Sequence, residues 1–399
     1  MTLIATAPRA RCAQGTSVVL LTMSLGVLIA QIDTSVVNLA VKPIGANLGV
    51  GVTTLHWVVD AYNLVYASLL LTAGTLADIY GRRRIFVLGI ALFAIGSLIC
   101  GLAPNAATLI AGRGIAGLGA ALEVPTSLAI LTVAFPDTAK RTRALGLWAS
   151  CYGLAMVIGP IAGGVLVDAV GWRSIFLLIT PLCVLALVLT WTAVPESKDP
   201  KGRKLDPGSQ TLAVIALGSL SLAAIEGPGR GFTSPAIVTA FAIAATASAW
   251  FLRRQTGTGG ALVPLSLFRN RVFSAALGVA ASMTFGMYAM LFLVPLYLQA
   301  ARGATALLAG VVLLPMSLSF VVVSQYSGRI ANAFGPRLPM TAGMALMGSG
   351  LFMLALPGVA DSLSLIEPAM LLLGCGRRIW RRSRRELPRR ALLQPCAPC

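Results

Sequence analysis

Gly74-Thr-Leu-Ala-Asp-Ile-Tyr-Gly-Arg-Arg-Arg84 is a short polar stretch with long apolar runs directly on both sides. A hinge with no polar domain on either flank has no use in a soluble core. It suits a chain whose helices cross a bilayer and turn at its surface. A weaker copy, Gly328-Arg-Ile-Ala-Asn-Ala-Phe-Gly-Pro-Arg337, follows 254 residues later. Gly74 aligns with Gly328, Ala77 with Ala331, Gly81 with Gly335 and Arg83 with Arg337, while Asp78 becomes Asn332. Two unrelated Gly-Arg turns would rarely agree this far.

Composition points the same way. Of 399 residues, 57% are hydrophobic and only 11% charged. A soluble globular protein carries about 25% charge, so too few polar residues remain to cover a soluble surface. Repeated apolar stretches near the length of a bilayer crossing predict an integral membrane protein that is all α. The net charge of +18 is uneven, because residues 377–399 hold eight arginines against Glu386. Other basic residues sit in short segments between apolar runs. That pattern predicts topology control and contact with anionic lipid rather than nucleic acid. Seven cysteines are scattered without metal or redox spacing, and His56 is the single histidine. These exclude a metal cluster and a Ser-His-Asp set away from His56. No phosphate-binding Gly-x4-Gly-Lys-Ser/Thr loop occurs. The chain is therefore read as a non-enzyme without cofactor or metal.

Spans are predicted at about 17–39, 54–76, 84–103, 107–134, 143–168, 173–194, 210–227, 235–253, 272–299, 305–327, 337–357 and 362–376. The first run carries Asp33 and Asn38 and has no clear cleavage site, so it reads as a retained helix. With a cytoplasmic N-terminus, alternate segments inside hold 18 Lys and Arg, and the outside segments hold Lys42, Arg173, Arg230 and Arg302. That asymmetry follows the positive-inside rule. Polar linkers at 195–209 and 254–271 set off two spans between them. The predicted organisation is a six-helix half over 1–194, two linker helices over 195–271, a second half of about four helices over 272–376, and an Arg-rich tail over 377–399. Two parallel halves are one plan of membrane transporters.

Four ionisable residues fall well inside the first half: Asp33, Asp60, Arg113 and Glu123. Each is costly at membrane depth and is functional by default. At ~1.5 Å per residue, the first three lie ~9 Å below the outer interface, and Glu123 lies ~15 Å further along its helix. Asp33 and Arg113 can be a proton site with its charge compensator, or a static buried pair. Asp60 can contact substrate or proton, or face an outer vestibule. Glu123 has the same two options, a contact or a bystander. The fifth span is rich in glycine, with Gly146, Gly153, Pro160 and Gly164 within about 40° of one another on one face. That face can be plain helix packing or a seal against the other half. In the hinge, Gly74 would permit close packing, Gly81 would make the turn, Asp78 would cap or pair, and Arg82 and Arg83 would hold the loop at the membrane surface.

At these residues the chain resembles the major facilitator superfamily, specifically its 14-helix drug:proton antiporters. Gly74 to Arg84 resembles the loop 2–3 signature. Ile32-Asp-Thr-Ser-Val-Val-Asn-Leu-Ala40 resembles the helix 1 signature, and Leu109-Ile-Ala-Gly-Arg-Gly-Ile-Ala-Gly-Leu-Gly119 that of helix 4. Gly153-Leu-Ala-Met-Val-Ile-Gly-Pro-Ile-Ala-Gly-Gly164 resembles the helix 5 antiporter signature, with Gly153, Gly159, Pro160, Gly163 and Gly164 in place. The resemblance covers about residues 15–376. It departs at Ala116, where the family usually has Gln, and at Glu123, which is not a general family feature.

The resemblance implies two six-helix halves with two extra linker helices, the last two helices missing from this chain. It implies proton-coupled export of hydrophobic, cationic or antibiotic-like compounds across the cytoplasmic membrane by alternating access. Its partners would be small hydrophobic substrates, protons and the lipid bilayer, with no nucleic acid, and the protein would act as a monomer. Asp33 and Arg113 would couple the proton. The alternatives are a metabolite importer of the same fold and a non-transporting truncated membrane protein.

Overall fold

A computed structural model describes residues 8–199, 205–256, 265–319, 337–356 and 366–373. The echo over 328–336 and the Arg-rich tail lie outside the described residues. The helices are α1 (Pro8–Leu48), α2 (Val52–Tyr80), α3 (Arg82–Gly101), α4 (Ala106–Ala134), α5 (Thr138–Ala169), α6 (Arg173–Ala193), α7 (Pro207–Arg230), α8 (Pro235–Gln255), α9 (Arg271–Arg302), α10 (Ala306–Val312) and α11 (Arg337–Ala355). Residues 366–373 are also helical. Among the described residues, eight helices are long and apolar enough to cross a membrane. Inside lipid a backbone must satisfy its own polar groups, which is why each apolar run closes into a helix.

Several helix starts carry caps that the sequence supplies locally. Asn105 accepts from the Thr108 amide at 2.9 Å to start α4. Asp206 accepts from the Ser209 amide to start α7, with Pro207 in its first turn. Both are side-chain oxygens satisfying amides that have no partner within the helix. The helices run past the predicted spans, and α1 begins at Pro8. Arg9 and Arg11, expected in a loop, thus belong to α1, and Lys140, Arg141 and Arg143 belong to α5. A helix that emerges from hydrocarbon stays helical in the hydrated interface, where long basic side chains can reach water.

The described chain divides into two compact units, and the division falls inside α5. One unit holds residues 1–155 and 169–264, the other residues 156–168 and 265–399. In the first, α4 packs against α1, α2 and α3, and α6 packs against α3 and α1. Small residues let these backbones touch. A Cβ on Gly96 would lie 2.5 Å from Ala116 N, and one on Gly119 would lie 2.5 Å from Phe93 N. Such close approach is how helices associate without a hydrophobic driving force between them. Helices α7 and α8 belong to the same unit. α7 packs on α8 and α2, held by Gln210 bonded to Thr72 and to the Ser68 carbonyl and by Trp57 donating to Glu226 at 3.0 Å.

In the second unit, α9 packs against α10 and α11. The C-terminal part of α5 joins it. A Cβ on Gly164 would lie 2.6 Å from Leu307 Cα, and Asp168 accepts from the Ala306 and Leu307 amides at 3.0 and 2.8 Å. Large apolar side chains are exposed along many helices, for example Leu178, Val184, Leu185 and Val188 on α6. A bundle with its bulky apolar residues outward and its glycine and alanine inward is built for a lipid surround.

Candidate functional site: a buried ion pair and the hinge below it

The centre of the first unit is one ion pair. Arg113 Nη1 on α4 donates to Asp33 Oδ2 on α1 at 2.6 Å, with side chains 2% and 1% exposed. Arg113 Nε donates to the Val58 carbonyl of α2 at 3.1 Å. The guanidinium sits 4.5 Å from the Tyr62 ring centre and 5.9 Å from that of Phe176 on α6. Four helices thus meet on one cation. The α4 backbone can come this near α2 because of Gly117, whose Cβ would lie 2.5 Å from the Tyr62 carbonyl. The pair is not fully satisfied. Asp33 Oδ1 is buried with no hydrogen-bond partner among the described residues. A buried pair of this kind contributes through fixed geometry more than through net stability, since desolvation offsets much of the attraction.

The structure brings Asp33 and Arg113 together and leaves the other two acids apart from them. Asp60 is half-buried on α2, bonded by the Asn63 side chain near His56. It stands two residues beyond Val58, so helical periodicity sends it away from Arg113. Glu123 is 1% exposed on α4, and neither carboxylate oxygen has a partner among the described residues.

The hinge closes on itself within the first unit. Asp78 pairs with Arg82, Nη2 to Oδ1 at 2.7 Å. Gly81 takes φ +110°, a conformation that residues with a Cβ rarely adopt. Around Gly74, nothing described lies within 4 Å of a Cβ position, so no described neighbour requires glycine there. Three arginines open α3, an unfavourable place for positive charge beside the helix dipole. Sequence reasoning missed the residue that offsets this. Glu196, in the segment after α6, accepts from the Arg83 and Arg84 amides at 3.1 and 3.3 Å. Its carboxylate would lie 2.7 Å from a Cβ on Gly81. The same segment adds two backbone bonds, Arg82 N to Ser197 O at 2.8 Å and Asp199 N to Asp78 O at 3.0 Å. Arg83 also donates to the Trp191 carbonyl at 2.9 Å and stacks 5.0 Å from the Trp191 ring centre. The signal was available as an acid just past α6, Pro195-Glu196, in a sequence that also has a run of three arginines at 82–84.

On α5, Gly153, Gly159, Pro160, Gly163 and Gly164 are all buried, while Leu147, Leu154, Ile158, Ile161 and Val165 are exposed. These glycines and Pro160 therefore pack inward and the branched stripe faces outward, while Gly146 is half-buried with nothing described within 4 Å of a Cβ position.

Comparison with known proteins gives this arrangement a family. The sequence profile described as Major Facilitator Superfamily matches residues 23–378. The chain is 37% identical over 357 residues to the multidrug resistance protein Stp of Mycobacterium tuberculosis, covering 90% of this chain and 65% of that protein. It therefore spans just under two thirds of that relative's length. It is 40% identical over 329 residues to the methylenomycin A resistance protein of Bacillus subtilis, covering 82% of this chain and 70% of that protein. A crystal structure of the peptide transporter POT in complex with sulfate has a similar fold. Its TM-score is 0.64 at 17% identity, covering 90% of this chain and 80% of that one.

Proposed function

The chain belongs to the Major Facilitator Superfamily, and from that premise we propose that it exports hydrophobic, cationic or antibiotic-like compounds from the cytoplasm. A proton moving inward drives the export, and the two halves rock about a central path in alternating access. The observation that carries this reading is the Asp33–Arg113 pair, buried where four helices meet. The names of its relatives, which are resistance proteins, support a drug-like cargo.

In this reading Asp33 is the proton site. Its second oxygen has no partner, so a proton can arrive there while Arg113 still holds the first. Protonation removes the charge that Arg113 is paired with, and the guanidinium then leans on Val58 and Tyr62 of α2 and the Phe176 ring of α6. The pairing thus ties the proton to the relative positions of α1, α2 and α4. Asp60 and Glu123 contact substrate or proton along the path. The corner formed by Gly74, Asp78, Gly81, Arg82 and Arg83 moves as one piece at the cytoplasmic face. The face of α5 bearing Gly153, Gly159, Pro160, Gly163 and Gly164 is the seal. The protein works as a monomer with its N-terminus in the cytoplasm, and residues 195–271 serve as a linker between the halves.

Cells expressing the chain should retain less ethidium than control cells, and a protonophore should erase the difference. Equal retention with and without the chain removes the reading.

A further inference from the structure

One groove on the first unit has no part in the transport reading. Its volume is ≈ 500 Å³, and it is lined by Thr246, Ala249, Trp250, Arg253 and Arg254 at the C-terminal end of α8. The face of α8 packed inward on α7 consists of Ile237, Ala240, Ala244, Ala247 and Gln255. At 100° per residue, Arg253 stands about 180° from Ala244, and Thr246, Ala249 and Trp250 stand within about 60° of Arg253. The groove is therefore on the side of α8 turned away from α7, where the chain meets lipid. Polarity is graded along it. Thr246 turns its hydroxyl back to the Ala242 carbonyl at 2.8 Å, which leaves a methyl group to lie beside that of Ala249. Two turns on, about 10 Å along the helix, the groove ends in two arginines of the last turn. Arg254 Nη2 donates to Asp206 Oδ1 at 3.0 Å. Arg253 is exposed and pairs with no carboxylate among the described residues. Trp250, one turn before it, is 62% exposed.

This end of α8 is on the same side of the membrane as the hinge. α7 begins beside it, through Asp206 and through the Gln255 side chain, which donates to the Ser209 hydroxyl at 2.9 Å. α7 then runs antiparallel to α2, since Gln210 near its start meets Ser68 and Thr72, and Glu226 near its end meets Trp57. The groove thus shares a surface with Arg82, Arg83 and Arg84, and a surface this basic faces anionic lipid. A guanidinium grips a phosphate with paired N–H groups. An indole settles at headgroup level, and the methyl groups below it suit an acyl chain. Arg253 repels a cationic cargo, and a zwitterionic headgroup brings its own cation against it. We propose that this end of α8 binds one anionic phospholipid, with the phosphate on Arg253 beside the Trp250 indole and an acyl chain along Ala249 and Thr246. The lipid ties the α7–α8 pair to the charged leaflet. The site stands whether or not the chain exports anything, so the two readings fail separately.

The test places the full chain in phosphatidylcholine vesicles in which a minor share of the lipid carries bromine on its acyl chains. The brominated lipid is phosphatidylglycerol in one set and phosphatidylcholine in the other, at equal share. Bromine quenches an indole that it touches, and the Trp250 signal is wild type minus Trp250→Phe. Brominated phosphatidylglycerol should occupy the site about fivefold more readily than brominated phosphatidylcholine, the worth of one arginine near an anionic surface. Arg253→Gln should bring that ratio close to one, and Arg253→Lys should keep part of it. Arg84→Gln removes an equal charge from the same surface, at a side chain 81% exposed, and should leave the ratio as in wild type. Inorganic phosphate should change nothing beyond what chloride does at the same ionic strength. The proposal is overturned if the two lipids quench Trp250 equally, if neither quenches it, or if the preference survives in Arg253→Gln. It is also overturned if Arg84→Gln loses as much as Arg253→Gln, which would mean that net charge alone attracts the lipid. Displacement by inorganic phosphate would make this a site for a free anion and overturn it too.

Discussion

Breaking the Asp33–Arg113 pair from one side should be worse than removing it altogether. In Asp33→Leu, Arg113 keeps the Val58 carbonyl at 3.1 Å and the Tyr62 face at 4.5 Å, but loses the only described counter-charge in contact with it. A cation–π contact of that kind is worth about 2 kcal/mol when desolvated, less than the effective cost of burying the charge. Removal of one partner of a buried pair typically costs about 3–5 kcal/mol. Arg113→Met leaves Asp33 stranded in turn and should cost a similar amount. The double variant Asp33→Leu/Arg113→Met has no buried charge at this point, and should lie within about 1–2 kcal/mol of wild type. The singles thus predict a favourable coupling of about 3 kcal/mol or more in a double-mutant cycle. Cys100 and Cys183 are buried free thiols, so a thiol-reactive dye reports unfolding without an added label. If the double variant loses the sum of the two singles, or either single melts like wild type, the reasoning fails. The double variant, though folded, should show no dependence of flux on a proton gradient.

Three further outcomes follow from other parts of the structure. Gly117→Val would press a side chain into the Tyr62 carbonyl, 2.5 Å from the Cβ position. It should cost about 1–3 kcal/mol in the same thiol-dye melt. Glu196→Ala leaves two amides of α3 uncapped beneath three arginines and should cost about 1–2 kcal/mol. The fluorescence of Trp191, 67% exposed beneath Arg83, should change with it. At the start of α7, hydrogen bonds from Ser209, first its hydroxyl and then its amide, hold the Asp206 carboxyl below its ordinary value of 3.8, with Arg254 adding to this. A folded-state value below the unfolded one contributes stability above 3.8 and loses it as pH falls through the lower value. Asp206→Asn should therefore flatten the acid limb of a pH–stability curve, and an unchanged acid limb would count against this cap.

Much of the fold was legible because apolar runs of bilayer length admit one structure, and each predicted span that falls on described residues meets a helix. The pairing of Asp33 with Arg113 was legible too, from equal depth below one interface. What could not be read was orientation. A membrane helix is apolar nearly all round, so its sequence hides which face meets a neighbour. That is why Asp60, at the same depth as Asp33, could not be placed from sequence, although it stands across α2 from Arg113. The Val58 carbonyl was invisible for a different reason, since any residue brings one. Glu196 was missed because it is remote in sequence from the amides it caps. The extra length of α1 was missed because hydropathy marks where lipid begins, not where a helix does. The packing of α7 on α2 rests on Gln210, Thr72 and Ser68, polar residues inside apolar runs whose partners only the fold reveals.

The central claim is that the buried pair converts a proton gradient into outward movement of cargo. It is tested most directly in proteoliposomes containing the full chain, with ethidium flux followed while a pH difference is imposed across the membrane. Wild type should move ethidium against its gradient only while the pH difference lasts. Asp33→Asn should still exchange ethidium down its gradient but should no longer respond to pH. Gradient-driven accumulation that survives intact in Asp33→Asn, or that is absent in wild type, contradicts the account.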